Sequence, residues 1–311
     1  MNNSIDDSME YRSKLLLDVI FPIGISVGIL VNIAAILFWI FGPKSRSLCC
    51  ATYFAANAVA DFLTLSIVGL WTIICSVQFN ENCLYVDVTC KIQIYLNGVL
   101  FQITNWISAA LTVERALTIM FPLRFKSHDM CKNSKYAITL IVVLALVGIL
   151  TSIYGYEHVE GTIFCKYRED FNFKSLFFIE VSVRTILPFT VIVVFNCCTI
   201  ATLCKQRRNS VSANQDRYVN TFTKLTLFTG LSFVVSNTPG VVYAIWIIRG
   251  IWLSWNEFFL LIDLTYTMCY LNCLMNPIIC FVICKSIMED MKTFGQRLLL
   301  VFSCGEHGIT T

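Results

Sequence analysis

Residues 15–41 read LLLDVIFPIGISVGILVNIAAILFWIF, with Asp18 as the one charged side chain in the run. A helix needs about 20 mostly apolar residues to cross the roughly 30 Å hydrocarbon core of a bilayer. The stretch therefore reads as a membrane span. Six more of the same kind follow, at 48–77, 88–120, 136–156, 175–204, 218–248 and 256–284. Hydrocarbon offers no partner for an unpaired backbone group, so each is expected to be helical. The whole composition agrees: 57% of the 311 residues are hydrophobic, 14% are charged and the mean hydropathy is +0.70. A soluble domain carries about 25% charged residues, and a chain this apolar cannot stay solvated as a disordered one. The net charge of +3 leaves no basis for a nucleic-acid partner. The expected fold class is an all-α membrane protein, a seven-transmembrane helix bundle. It divides into a tail at 1–14, the bundle at 15–284 and a second tail at 285–311.

Lys and Arg in the connections set the orientation. The side bearing the amino terminus carries 8 basic and 13 acidic residues, and the other side 15 basic and 6 acidic, with Asp61 between them in mid-membrane. The amino terminus is thus expected outside the cell, in the plasma membrane. The first fourteen residues are too polar for a cleaved signal, which leaves the first span as signal anchor. Asn2-Asn3-Ser4 then lies where Asn2 can be glycosylated, although such tripeptides also arise by chance. Of fifteen cysteines, most lie within apolar spans, where Cys behaves as a small hydrophobe. Cys83, Cys90 and Cys165 fall on the oxidising side, so one bridge can form and one thiol is left over.

Several motifs then occur in order, each in a different span or at its end. They are Asn32 in the first span, Ala60-Asp61 in the second, and Cys90 in the third with Glu114-Arg115-Ala116 twenty-five residues on and Phe121-Pro122-Leu123 after it. Leu187-Pro188 follows in the fifth, Phe233 six residues before Pro239 in the sixth, and Leu271-Asn272 before Asn276-Pro277 in the seventh. In these the chain resembles the rhodopsin-like (class A) G-protein-coupled receptors, from about Gly28 to the carboxy terminus. Trp106, Thr112-Val113-Glu114-Arg115, Phe121-Pro122-Leu123 and Ile186-Leu187-Pro188-Phe189 look most like invertebrate neuropeptide receptors, in particular those for amidated FMRFamide-like peptides.

The resemblance implies a Cys90–Cys165 disulfide over the outer end of the bundle. It implies a cytoplasmic switch at Glu114 and Arg115, with Leu123 as an apolar knob for a heterotrimeric G protein and Asn276-Pro277 in the moving end of the last helix. Taken alone, an Arg at a helix end snorkels to headgroups. Asp61 is an expensive residue at the midplane. It reads either as an acid joining helices by hydrogen bonds or, with Thr104, Asn272 and Asn276 that the resemblance supplies, as an oxygen-lined Na+ site. No other cofactor is implied. Glu180 and Arg184 sit one turn apart in the fifth span; such a pair is either self-contained, in the favourable order, or a ligand clamp. Asn97 and Phe101 share a face of the third helix, and Tyr243, Tyr266 and Tyr270 can line the opposite wall, although aromatic residues in spans also serve as packing.

The chain departs from the family in the sixth span, where Ser236-Asn237-Thr238-Pro239 stands for Cys-Trp-x-Pro. Cys280 and Asn196 replace two usual tyrosines, and Asn105 stands where an apolar residue packs between Pro188 and Phe233. No lysine occurs at 256–284 to hold retinal, and Asn97 stands where amine receptors carry an Asp. The acidic outer side would steer a cationic ligand inward. The expected ligand is a basic, amidated neuropeptide; the nearest rival is a chemosensory receptor for small molecules. A transporter or channel would show internal symmetry or charges lining one path, and an enzyme would show a nucleophile or metal spacing; neither is evident. Residues 285–294 alternate apolar and charged faces and read as an amphipathic helix on the inner leaflet, with Cys304 beyond it as a palmitoylation candidate.

Overall fold

The computed structural model describes residues 19–41, 50–71, 73, 87–121, 127–158, 165–167, 178–209, 216–249 and 255–283. Among them run seven long helices: α1 (Phe21–Phe41), α2 (Cys50–Leu63), α3 (Asp87–Met120), α4 (Ser127–Gly148), α5 (Leu187–Asn209), α6 (Asp216–Arg249) and α7 (Trp255–Ile283). α2 continues as a π-helical turn at Thr64–Gly69, and α5 is led in by another at Ser182–Ile186. After a break at Ile149, a helical segment Leu150–Gly155 prolongs α4. The span expected to end at Tyr156 stops one residue earlier, because Tyr156 opens a strand that the apolar run concealed. Strands β1 (Tyr156–His158) and β2 (Cys165–Tyr167) form an antiparallel ribbon in which His158 faces Cys165.

Six of the helical segments are long and apolar enough to cross a membrane. α3 is the seventh, and its polarity follows from its place. It packs against α2, α4, α5 and α6, so its side chains meet protein where those of α4 meet lipid. Gln102, Thr104, Asn105, Thr112 and Glu114 of α3 are all buried, while Leu140, Val143, Leu144 and Val147 of α4 are exposed. At 1.5 Å per residue, the 25 positions from Cys90 to Arg115 measure about 37 Å, a bilayer's depth. α1 closes the ring between α2 and α7. There Gly28 lets the side chain of Leu65 lie directly on the α1 backbone, the small-residue approach that membrane helices use in place of a hydrophobic driving force.

Candidate functional site

Two polar regions lie inside this bundle. The first is at the end where α3 begins. Arg184 Nη1 donates to Glu180 Oε1 at 3.2 Å, and the two side chains are 29% and 15% exposed. Opposite them, Tyr266 of α7 lies beside the Asn97 side chain of α3 and in the fields of Arg184 and Glu180. Tyr243 of α6 feels both Tyr266 and Arg184. Tyr266 is 43% exposed. Five of the seven ligand-contact residues expected from the sequence thus converge, from four helical segments. The other two are placed differently. Phe101 and Tyr270 are buried, with ring centroids 5.5 Å apart, and Tyr270 meets Phe21 edge-on at 5.0 Å. They join α1, α3 and α7.

The wide turn at Ser182–Ile186 aims Glu180 and Arg184, and Pro188 explains its supports. The Leu187 N–H reaches back five residues to the Ser182 carbonyl. In that register the Val183 carbonyl would meet residue 188, and in ordinary α register the Arg184 carbonyl would. Proline has no N–H to give to either. α3 supplies the donors instead: Trp106 Nε1 to the Val183 oxygen at 3.0 Å, and Asn105 Nδ2 to the Arg184 oxygen at 2.8 Å. Asn105 therefore has a definite task at a position where an apolar residue was the expectation.

The second region surrounds Asp61, which is fully buried. Its Oδ2 accepts from Asn57 Nδ2 at 2.9 Å and Asn276 Nδ2 at 3.0 Å. Ser108 bonds Asn57 at 3.4 Å, and Ser232 of α6 bonds Asn272 at 3.4 Å. Asn32 of α1 donates to its own Gly28 carbonyl at 2.9 Å and to the Cys273 carbonyl of α7 at 3.0 Å. Asp61 Oδ1 and the Thr104 hydroxyl, both buried, make no well-formed hydrogen bond although they lie near each other. The two oxygens, one a carboxylate, are of the kind a hard cation takes, and the Cys273 thiol lies beside the same carboxylate. Asn276 turns its nitrogen toward Asp61, so its contribution to such a site is to orient the carboxylate. A cavity of about 30 Å³, with room for about two waters, runs from Asp61 past Ser108, Thr112 and Thr229 to Cys280.

Further along the same stripe of α2 lies Tyr53, whose hydroxyl lies beside the buried Glu114 carboxylate, with Arg115 alongside. Tyr53, Asn57 and Asp61 recur every four residues, a single face of one helix. That spacing was available in the sequence and would have picked out Tyr53 and Asn57. The side chains of Cys90 and Cys165 lie outside the described residues, though their backbones place one in the first turn of α3 and the other in a ribbon whose first strand packs on α3. Asn2, Cys83, Leu123, the 285–294 helix and Cys304 also lie outside the described residues.

With this geometry in view, the comparisons with known proteins are specific. The family model described as 7 transmembrane receptor (rhodopsin family) matches residues 31–280. The Mas-related G-protein coupled receptor member A6 of Mus musculus is 28% identical over 179 residues, which cover 54% of this chain and 54% of that receptor. The match thus spans about half the length of that curated relative.

Proposed function

The chain belongs to the rhodopsin family of seven-transmembrane receptors, a multi-pass membrane protein, and from that premise we propose that it is a plasma-membrane receptor for an extracellular peptide. The amino terminus is outside, as the basic excess on the opposite side supports. The cluster of Asn97, Glu180, Arg184, Tyr243 and Tyr266 would then line its outer pocket, and the convergence of those five residues is the observation that carries the reading. The pocket offers a carboxylate, a guanidinium and an amide together, groups that suit a basic peptide with an amidated end and not a purely apolar lipid. The resemblance to receptors for FMRFamide-like peptides points the same way.

In this mechanism the receptor performs no chemistry. A ligand that prefers one of two bundle arrangements shifts the population toward it. α6 swings near Pro239, and Arg115, released from its contacts beside Glu114, meets a heterotrimeric G protein together with Leu123. Asp61 and Thr104 hold Na+ in the inactive bundle, oriented by Asn276 and with Asn272 nearby. A Cys90–Cys165 bridge holds the ribbon over the pocket.

The experiment is G-protein dissociation in cells expressing the wild type or Arg115→Ala at matched surface levels, while an amidated-peptide library is applied. A peptide response lost in Arg115→Ala is expected. A response that survives removes Arg115 from the switch. Activation by lipids or acidic metabolites only would overturn the peptide reading.

A further inference from the structure

Gly230 lies nine residues before Pro239, in the half of α6 that must move, and it is buried. A Cβ built there would run into Asn196 Nδ2 of α5, with Asn196 Cγ and Ile192 Cγ2 both at 3.3 Å. At this level the side chains of Asn196 and Ile192 on α5 therefore lie directly on the α6 backbone. The other side of α6 is looser, since Thr229 and Gly230 border the cavity that reaches Asn276, Pro277 and Cys280. Five residues before Gly230, Leu225 is fully buried in the core cluster with Leu111 and Cys280, so α6 is shut against the bundle here. Its firm neighbour at the level of the cavity is the side chain of Asn196.

We propose that the Asn196 amide seated on Gly230 is the catch that keeps the inner half of α6 shut. The seat exists because one residue has no side chain and the other ends in a flat group that covers its backbone. Turned aside, the amide would move along a helix whose Cys197 and Ile200 are exposed to lipid, where no donor or acceptor waits for it. The catch acts without a hydroxyl. The contact rests on geometry alone; only its consequence for signalling rests on the receptor reading.

The test is a compensation cycle read by thiol labelling. In a Leu225→Cys background the new thiol is buried while α6 is shut, and its rate of alkylation in permeabilised cells, followed by mass spectrometry of its peptide, reports opening without any G protein. Gly230→Ala overfills the seat and Asn196→Ala empties it, so each alone is expected to raise labelling about five- to a hundredfold, the range one misfitted group gives. The double variant places a methyl where the amide was and is expected to label more slowly than either single one. Equal labelling in wild type and both single variants, or single effects that simply add, would overturn the catch. Asn196→Ala adds no bulk and keeps the test open should Gly230→Ala fail to reach the surface. G-protein dissociation measured in the same cells separates the two ideas. Labelling that rises and recovers without any basal signal keeps the catch and removes the coupling; a basal signal that follows the labelling supports both.

Discussion

Asn32→Leu tests the most specific energetic claim the structure makes. The Asn32 amide bonds two carbonyls, at 2.9 and 3.0 Å, but they are not equivalent. The Gly28 oxygen keeps its ordinary helical partner, the N–H of residue 32, when the side chain is lost. The Cys273 oxygen has no such partner, because the residue four further on is Pro277. Leucine fills nearly the same volume, so the change isolates the hydrogen bonds, and it also removes the buried Asn32 Oδ1, which has no partner to lose. Leaving a buried acceptor unpaired costs about 1–3 kcal/mol, and an interhelical bond within a membrane averages about 0.6 kcal/mol. Together they give about 2–4 kcal/mol, a fall in Tm of about 3–6 °C in a protein of this size. The assay is thermal unfolding in detergent with a thiol-reactive dye, for which the buried Cys273 and Cys280 are natural reporters. The same change made in a Pro277→Ala background is expected to cost less than about 1 kcal/mol, because the new N–H at 277 takes the Cys273 carbonyl. Equal costs in the two backgrounds would show that Asn32 does not cap the carbonyl that Pro277 leaves open.

Two further outcomes follow from neighbouring geometry. Trp106→Phe keeps the ring but leaves the Val183 carbonyl without its donor, and is expected to lower stability by about 1–2 kcal/mol in the same dye assay; an unchanged Tm would refute the cap. Gly28→Ala sets a methyl 2.7 Å from Leu65 Cδ1, whose residue is fully buried, whereas Gly24→Ala meets nothing within 4 Å. The first is expected to lose about 1–3 kcal/mol and the second to gain up to about 1 kcal/mol, so a ranking in the opposite order would contradict the α1–α2 packing.

Hydropathy made the bundle legible, because lipid imposes one rule on every span. α1 and α4, which meet lipid over most of their length, are the plainest cases. α3 was legible for a different reason: its Asn, Gln, Thr and Glu interrupt the apolar run, and the spacing from Cys90 to Arg115 held it together as a span. The cluster around Glu180 and Arg184 was legible in part. Glu180 and Arg184 stood out because charge is costly in a membrane, whereas Phe101 and Tyr270 carried no mark to separate a wall from a packing cluster. The π-helical turns left no periodic signature, since one extra residue in a turn is a local matter of carbonyl partners. Tyr53 was missed because a tyrosine near a span's end is ordinary until the acid beside it, Glu114 on another helix, is known to face it.

The three internal prolines show why one helix is fitted to move. Pro277 leaves open the Cys273 carbonyl, and Asn32 of α1 closes it. Pro188 leaves open the carbonyls of Val183 and Arg184, and Trp106 and Asn105 of α3 close both. In each case the bend is tied to a neighbouring helix by a donor that would lose its partner if the segments parted. Pro239 in α6 leaves open the Val235 carbonyl, and among the described residues no side chain from another helix caps it. Asn237 and Thr238 bond back within α6, to Phe233 and Val234, and Val235 itself is 58% exposed. A swing of α6 about this point therefore breaks no interhelical hydrogen bond at the bend, whereas the same motion in α5 or α7 would break at least one. The proposed swing of α6 would be eased by what its proline lacks, and the restraint on it lies below the bend, in the Ser232–Asn272 hydrogen bond, the packing of Leu225 and the seat of Asn196 on Gly230.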